Sequence, residues 1–393
     1  DLHLSIRRQR QMCIRDSVYM EFVEKHGIRL ARELNRVFSK AVELDGHQEL
    51  RFDRLMDDIV MVDIHQHPMI MPDDISALSS YLRNGEYGWC YEAVKHGGWT
   101  AVATANVFRG LINTPELSFA SYSDVSGEVS VMLTDMSRHT DVVNVSNSSQ
   151  ILAAKQSGKV AFFPTLEHLA IGNRIERIDS FYALGVRLAG ITYTRKNFIG
   201  DGQNERNDGG LSEFGIEVVR RMNDLGMIID VSHASPNTVQ DVLAFSEVPV
   251  TFSHNAAYTL RPTARTRQDH ELLACTAKGG VIGITAVPNS LSDDPCQDIS
   301  CVLDQYDYMV ELVGLDHVAI GTDTMAGDHV DFHRQVLGRN APGQLPAAYL
   351  DGLESPADGK NIIRGLIKRG YSDGDITKIA GGNALRFFNR VLS

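Results

Sequence analysis

Short apolar runs that end in polar residues recur along the chain, separated by stretches of helical periodicity. The first run, Ile59 to His65, is almost continuously apolar, which is typical of a strand buried on both faces. Seven similar runs follow, at Gly98–Ala105, Lys159–Glu167, Gly185–Tyr193, Gly226–His233, Val248–His254, Gly280–Thr285 and Asp316–Asp323. Between them, apolar residues recur three and four positions apart, which indicates amphipathic helices. Eight strands alternating with helices predict an α/β fold, the (β/α)8 TIM barrel.

The segments outside these strands complete the predicted architecture. Residues 18–57 carry apolar positions at helical spacing, which predicts one or two extra N-terminal helices. Residues 131–157 are predicted as two helical pieces around a polar patch at 144–149, and Ser212 suits the N-cap of a later helix. A doubly wound open sheet is the alternative, but the first βα turn contains no GxGxxG or Walker sequence. We therefore predict a single catalytic domain over residues 18–393.

The N-terminal segment and the composition exclude several classes. Residues 1–17 are basic and no apolar run follows them, so they do not form a signal peptide. They resemble translated sequencing adapter, and we expect them to be non-native or disordered. The net charge of −12 argues against binding to nucleic acid. Five cysteines without a CxxC pair indicate reduced thiols, and no apolar run is long enough for a transmembrane helix. These features predict a cytoplasmic protein.

Histidine and carboxylate side chains stand at the ends of the predicted strands. The carboxyl ends of barrel strands open on one face, where catalytic residues are found. The residues at these ends are His65, His67, Glu167, Tyr193, His233, His254 and Asp323. His65 and His67 are two positions apart, so both face the same side of the strand. Imidazole and carboxylate together suit Zn²⁺ or a similar divalent ion.

Four histidines and one glutamate exceed the needs of one catalytic metal ion. They fit two ions a few ångströms apart with Glu167 as the bridging ligand, and such a pair lowers the pKa of a bound water. A single strand-end histidine is more often structural, so the metal hypothesis depends on the joint pattern. The Gly-rich loop 200–210 also follows a strand end and is predicted to border the site. The remaining histidines considered are expected in surface or loop positions, namely His168, His270, His317, His329 and His333.

From about Ile59 to Val391 the sequence resembles the membrane (renal) dipeptidase family, the zinc dipeptidases of peptidase family M19. These are amidohydrolase-like TIM barrels. The strongest segment runs from Gly210-Leu-Ser-Glu-Phe-Gly to Gly226-Met-Ile-Ile-Asp-Val-Ser-His233, and Pro249-Val-Thr-Phe-Ser-His254 follows it. The spacing of Tyr193, Asn197 and Gly200-Asp-Gly202 is similar to a bacterial branch of the family.

The resemblance implies a role for each strand-end residue. His65, His67 and Glu167 would bind one zinc ion, and Glu167, His233 and His254 the other. Arg265 matches the arginine that holds the substrate carboxylate, a role that suits a planar bidentate donor. Its alternative is a solvated loop arginine. Asp323 matches the aspartate that moves the proton of the water.

Two positions depart from the family pattern. His67 stands where the family usually has aspartate, which exchanges an anionic ligand for a neutral one and raises the charge of the site. Tyr193 stands where well-known members have a histidine that contacts the substrate carbonyl. A phenol can donate a hydrogen bond there but cannot act as an imidazolium.

The resulting hypothesis is a zinc-dependent dipeptidase that hydrolyses dipeptides, including those with a D-residue at the C-terminal position, through a metal-bridging hydroxide. Glu167, Tyr193 and Asp323 would be catalytic, and Tyr193 and Arg265 would bind substrate. The alternatives are hydrolysis of N-acyl amino acids, lactones or cyclic amides on the same metals, and a non-catalytic binding protein. A homodimer is expected.

Overall fold

The computed structural model describes residues 23–337 and 348–392, and the predicted non-native segment at residues 1–17 lies outside them. Its strands are β1 (Val62–Asp63), β2 (His67–Ile70), β3 (Ala101–Ala103), β4 (Val142–Asn144), β5 (Val160–Phe163), β6 (Thr165–Leu166), β7 (Leu188–Gly190), β8 (Ile228–Asp230), β9 (Thr251–Asn255), β10 (Val281–Ile284), β11 (Gln297–Asp298), β12 (Val318–Ile320), β13 (Met325–Ala326) and β14 (Leu350–Asp351).

The main sheet is parallel, in the order β4-β5-β3-β1-β12-β10-β9-β8-β7-β6. Strands β5 and β6 are consecutive pieces of one segment, interrupted at Pro164, which has no N–H to donate to a neighbouring strand. Because β5 pairs with β3 and β6 pairs with β7, this segment closes the ring. The eight predicted strands therefore form the barrel, and the TIM-barrel prediction is confirmed.

Helices cover the outside of the ring between successive strands. In the described part of the chain they are α1 (Gly46–Asp58), α2 (Leu78–Arg83), α3 (Tyr91–His96), α4 (Tyr122–Met136), α5 (Ser148–Gln156), α6 (Glu176–Ala183), α7 (Glu213–Asp224), α8 (Pro236–Phe245), α9 (Asp269–Ala277), α10 (Ile299–Val313), α11 (His329–Phe332), α12 (Lys360–Lys368), α13 (Asp373–Thr377) and α14 (Asn383–Val391). Ser212 caps α7 as predicted, because its hydroxyl accepts the N–H of Gly215.

One local prediction is confirmed and one needs correction. The N-terminal extension is helical at residues 23–26 and in α1, which Asp45 caps through a capping box, whereas residues 27–45 have no regular helix. Residues 142–144 form β4 rather than helix or loop. This strand pairs with β5 outside the ring. Its three residues are too few for a periodic signal, so the flanking helices α4 and α5 dominated the pattern.

The strands of the ring are buried on both faces, as the continuous apolar runs predicted. Apolar side chains inside and outside the ring form two hydrophobic clusters, and α12 and α14 each bury one apolar face against the barrel. In residues 23–337 and 348–392, no helix is both long and apolar enough to cross a membrane. The four described cysteines, Cys90, Cys275, Cys296 and Cys301, are free.

Candidate metal centre

The five residues predicted as metal ligands meet at the carboxyl ends of the barrel strands, and all five are buried. Glu167 lies between the two pairs of histidines. Its Oε2 lies 2.9 Å from Nε2 of His65 and 3.5 Å from Nε2 of His67. Its Oε1 lies 2.8 Å from Nε2 of His233 and 3.7 Å from Nε2 of His254. Each carboxylate oxygen thus faces one pair of imidazole nitrogens.

Asp323 brings a second carboxylate to the same place. Its Oδ1 lies 3.0 Å from Nε2 of His67 and 3.6 Å from Nε2 of His65, and its Oδ2 lies 3.9 Å from Nε2 of His254. The backbone of Asp323 is left-handed, with φ of 57°, and its N–H donates to the carbonyl of His65. Aspartate tolerates this conformation better than most residues, and such backbone is enriched at functional sites.

The donor atoms fit a metal centre. Three groups, whose ligand atoms lie within 4.8 Å of one another, are His65–His67–Glu167, Glu167–His233–His254 and His65–His254–Asp323. Nε2 of His65 and Oε2 of Glu167 are buried and lie 2.9 Å apart, but neither makes a well-aligned hydrogen bond with the other or with another described residue. The Nε2 atoms of His233 and His254 face each other at 3.0 Å. Converging lone pairs of this kind are stabilised by a shared cation.

The charges of the centre are set by burial and by close neighbours. Burial lowers the pKa of His233 to about 4, assisted by the positive charge of Arg265, and burial likewise holds the pKa of His254 well below its usual value. Burial opposes protonation of His65 as well, but the negative charges of Glu167 and Asp323 outweigh it and raise the pKa of His65 to about 9.

The Glu167 carboxyl group is ionised in this environment. Burial alone would raise its pKa, but the positive charge of His65 and the hydrogen bond from His233 hold it well below its usual value. The pKa of Asp323 is also lowered: burial opposes this shift, and the hydrogen bond with His67 outweighs it. The ionised carboxylates of Glu167 and Asp323 and the neutral imidazoles of His233 and His254 are in the protonation states that a divalent cation requires, whereas His65 would lose a proton on binding one.

Tyr193 lies beside the metal-ligand candidates, with its ring centroid 4.5 Å from that of His233. Burial raises the pKa of its phenol well above the usual value, and the charges of Glu167 and Asp323 add to this shift. The hydroxyl therefore remains protonated, and its O–H can donate a hydrogen bond to a ligand in the cavity.

Arg265 is fixed next to the centre rather than solvated in a loop. Its Nη1 donates to the carbonyl of Ser232 at 3.0 Å and its Nη2 to the carbonyl of His254 at 2.9 Å. Ser232 precedes His233, so both contacts attach the guanidinium to residues of the centre. A guanidinium has five N–H donors, which leaves several for a ligand in the cavity.

A cavity of about 820 Å³ opens over the centre and is large enough for a small peptide. His67, Glu167, His233, Asp323, Tyr193 and Arg265 all line it. Gln203 and Asn204, from the Gly-rich loop predicted to border the site, also line it. Apolar side chains also line the cavity, among them Phe108, Phe332, Leu350 and Leu353.

The surface or loop expectation was wrong for His329 and His333. His168 lies in the loop after β6, as expected, but it is buried there, and its Nε2 lies 2.7 Å from the carbonyl oxygen of Leu117. His329 is buried in α11, and His333 follows it, both lining the cavity. His329 and His333 do not follow a barrel strand directly, so the strand-end criterion could not find them. His270 is exposed and His317 is half-buried.

Sequence reasoning also missed buried acids behind the histidines. Asp63 accepts hydrogen bonds from the His65 N–H, the Gln66 side chain, and both the N–H and the hydroxyl of Thr322. Asp230 contacts Ser232 and Ser253. Period-2 alternation could have identified them, because Asp63 and Asp230 each end a barrel strand two positions before a residue of the site, His65 and Ser232 respectively.

Comparison with known proteins places the chain among metallopeptidases. The sequence model of the membrane dipeptidase family, peptidase family M19, matches residues 50–392. Dipeptidase tcpJ of Claviceps purpurea is 29% identical over 69% of this chain and 61% of its own length. Dipeptidase verJ of Clonostachys rogersoniana is 30% identical over 67% of this chain and 64% of its own length. The chain thus spans under two thirds of these fungal relatives.

Solved structures share the fold. An amidohydrolase from Pseudomonas aeruginosa superposes with a TM-score of 0.73, at 24% identity, over 87% of this chain and 99% of that chain. The probable dipeptidase PvdM from the same organism superposes with a TM-score of 0.73, at 22% identity, over 89% of this chain and 99% of that chain. A metallopeptidase from Rhodobacter sphaeroides, liganded with a phosphinate mimic of the dipeptide L-Ala-D-Ala, superposes with a TM-score of 0.67, at 18% identity, over 85% of this chain and 99% of that chain.

Proposed function

The chain belongs to the membrane dipeptidase family, peptidase family M19, and on this basis we propose that it is a metal-dependent dipeptidase. The observation that carries the proposal is the position of Glu167, whose two carboxylate oxygens face two separate pairs of imidazole nitrogens. A glutamate that only forms a structural ion pair would need a single cationic side chain as its partner. Two donor sets that share a carboxylate are typical of hydrolytic sites with two metal ions.

The proposal includes two zinc ions. His65, His67 and Glu167 would hold one, and Glu167, His233 and His254 the other, because imidazole and carboxylate are usual zinc ligands. Bound zinc would lower the pKa of a water molecule and polarise the scissile carbonyl. His67 supplies an imidazole where the family usually has a carboxylate, so this donor set contains one acidic ligand fewer.

The protein's own residues would orient the substrate and move the proton. Arg265 presents its remaining N–H donors to the free carboxylate of the dipeptide, which excludes longer chains from productive binding. Tyr193 donates a hydrogen bond to the oxygen of the scissile carbonyl as negative charge develops there. Asp323 accepts the proton of the attacking water and delivers it to the leaving amine.

The substrates in this proposal are dipeptides, including those with a D-residue at the C-terminal position. The Rhodobacter sphaeroides structure contains a mimic of L-Ala-D-Ala, which supports this extension. The homodimer, the cytoplasmic location and the single domain over residues 18–393 stay predictions from the sequence.

The proposal is tested by steady-state kinetics of the zinc-loaded protein on a panel of small substrates. The panel contains L,L and L,D dipeptides, the same dipeptides with an amidated C-terminus, N-acyl amino acids and a lactone. We expect the highest kcat/KM on free dipeptides. A higher kcat/KM on N-acyl amino acids or the lactone would favour the alternative amidohydrolase reaction. No hydrolysis by protein with zinc bound would favour a binding protein.

A further inference from the structure

Behind the metal-ligand candidates, one hydroxyl group contacts imidazoles of both donor sets. The Oγ of Ser253 lies 3.0 Å from Nδ1 of His65 and 2.7 Å from Nδ1 of His254. The two rings stack, with centroids 3.5 Å apart and an angle of 26° between their planes. Their Nδ1 atoms therefore face Ser253, while their Nε2 atoms face the carboxylates of Glu167 and Asp323.

The hydrogen-bonding capacity of Ser253 matches these contacts. A hydroxyl has one proton to donate and two lone pairs that accept. When Nε2 of a neutral imidazole binds a metal, its proton is on Nδ1, so His65 and His254 can each donate to Ser253 Oγ. The Ser253 hydroxyl donates to Oδ2 of Asp230 at 2.5 Å. The one proton and the two lone pairs of the Ser253 hydroxyl are then all engaged in hydrogen bonds.

Asp230 fixes the direction of this chain of hydrogen bonds. Its Oδ1 accepts the N–H groups of Ser232 and Ser253 at 2.9 and 3.0 Å, and the Ser232 hydroxyl at 2.6 Å. The carboxylate is buried and held from two strands, β8 and β9. As an acceptor it keeps the Ser253 proton pointing away from the histidines, which leaves the Ser253 lone pairs to accept their Nδ1–H groups.

We propose that Ser253, backed by Asp230, is a positioning residue that fixes the tautomer and ring orientation of one histidine in each of the two donor sets. The inference rests on the proposed metal centre. Its consequence is that a single hydroxyl controls the affinity of both ions, although it binds neither. Loss of an outer hydrogen-bond partner usually costs 10–100-fold in metal affinity.

The test compares zinc binding by metal-stripped full-length protein with that of the Ser253→Ala variant, using isothermal titration calorimetry. Thr251→Val is the matched control: it removes a buried hydroxyl from the same strand, one whose hydrogen bond goes to the carbonyl of Val281. We expect Ser253→Ala to weaken both binding steps roughly 10–100-fold and Thr251→Val to weaken neither. The absorption bands of bound Co²⁺ should change in Ser253→Ala at both sites, because they report ligand geometry.

The outcomes separate this inference from the proposed centre. Unchanged binding by Ser253→Ala, or weakening of only one step, would overturn the shared role of Ser253. Absence of zinc binding by the unaltered protein would overturn the proposed centre and the inference with it. If Ser253→Ala does not fold, Asp230→Asn gives the same decision. The asparagine amide can donate to Ser253 Oγ, which reverses the direction of the hydrogen bonds between Ser253 and the histidines. We therefore expect both zinc-binding steps to weaken, and unchanged zinc binding would refute the inference.

Discussion

Asp323 holds its carboxylate 3.0 Å from Nε2 of His67 while its own backbone is left-handed, with φ of 57°. A non-glycine residue in this region carries strain of about 1–3 kcal/mol unless its side chain compensates. The N–H of Asp323 donates to the carbonyl of His65, so the strained residue is attached to the segment after β1 that supplies two ligand candidates. The geometry brings a carboxylate to the centre at a fixed position.

Asp323→Asn should remove the proton acceptor while preserving the fold. Asparagine tolerates left-handed backbone and has nearly the same shape, but its amide cannot accept and return a proton. We expect kcat for dipeptides to fall by about 10²–10⁴-fold, the usual range for a general acid–base group. Zinc content and thermal stability should stay close to those of the unaltered protein. A variant that loses its zinc would instead assign Asp323 to metal binding.

Glu167→Gln should weaken both metal sites, whereas changes at single histidines should weaken mainly one. The reason is that both oxygens of Glu167 face imidazole pairs, while His67 and His233 each face a different oxygen. The measurement is zinc per chain after dialysis, for Glu167→Gln, His67→Ala and His233→Ala. Two zinc ions retained by Glu167→Gln would contradict the bridging role.

Arg265→Lys should raise KM for dipeptides that carry a free carboxylate. A lysine keeps the positive charge but cannot donate to two carbonyls and a planar carboxylate together. We expect kcat/KM to fall by roughly 10–100-fold, corresponding to the loss of a charged hydrogen bond of about 1.5–3 kcal/mol. The control is the same dipeptide with an amidated C-terminus. An equal fall on the amide would indicate a structural role for Arg265.

The sequence predicted the ring and the residues at its strand ends because both depend on patterns that are local in the chain. Each barrel strand is an apolar run, and the residue that follows it reaches the open face. Glu167 and His233 could therefore be placed in the site before their distance was known. The joint pattern of strand-end residues also led us to expect a bridging role for Glu167. Only the structure shows that the two oxygens of Glu167 face separate pairs of imidazole nitrogens, because this depends on side-chain geometry.

What the sequence did not reveal are contacts between segments far apart in the chain. Ser253 and His65 are 188 positions apart, and no spacing rule relates them. Arg267 is fully buried and donates to the carbonyls of Ser232 and Ala234, although a charged arginine side chain is usually found at the surface. The three-residue strand β4 is stabilised by pairing with β5, so its own residues carry little signal.

Tyr193→Phe should slow hydrolysis without affecting metal binding. The phenol is a neutral donor at all pH values of interest, because burial raises its pKa well above the usual value. Loss of one donor to a developing oxyanion typically costs up to 10²–10³-fold in kcat, and we expect about that or less here. KM and zinc content should change little. An unchanged kcat would show that Tyr193 only packs against His233.

Zinc binding to the metal-stripped protein should release about one imidazole proton per chain at neutral pH, since ligands must be deprotonated. The source is His65: burial disfavours its charged form, but the charges of Glu167 and Asp323 raise its pKa to about 9. Its proton therefore competes with zinc below pH 9, and the apparent affinity should rise with pH up to that value. Burial lowers the pKa of His233 to about 4 and holds that of His254 well below its usual value, so these two histidines release no proton.

Calorimetric titration at pH 7 in buffers of different ionisation enthalpy measures the number of protons released. Release is expected to fall when the titration is repeated at a pH above 9, where His65 is already neutral in the metal-free protein. The control is His65→Gln, which removes the titrating group and should abolish this part of the release. Equal release by His65→Gln and the unaltered protein would show that the proton comes from another group.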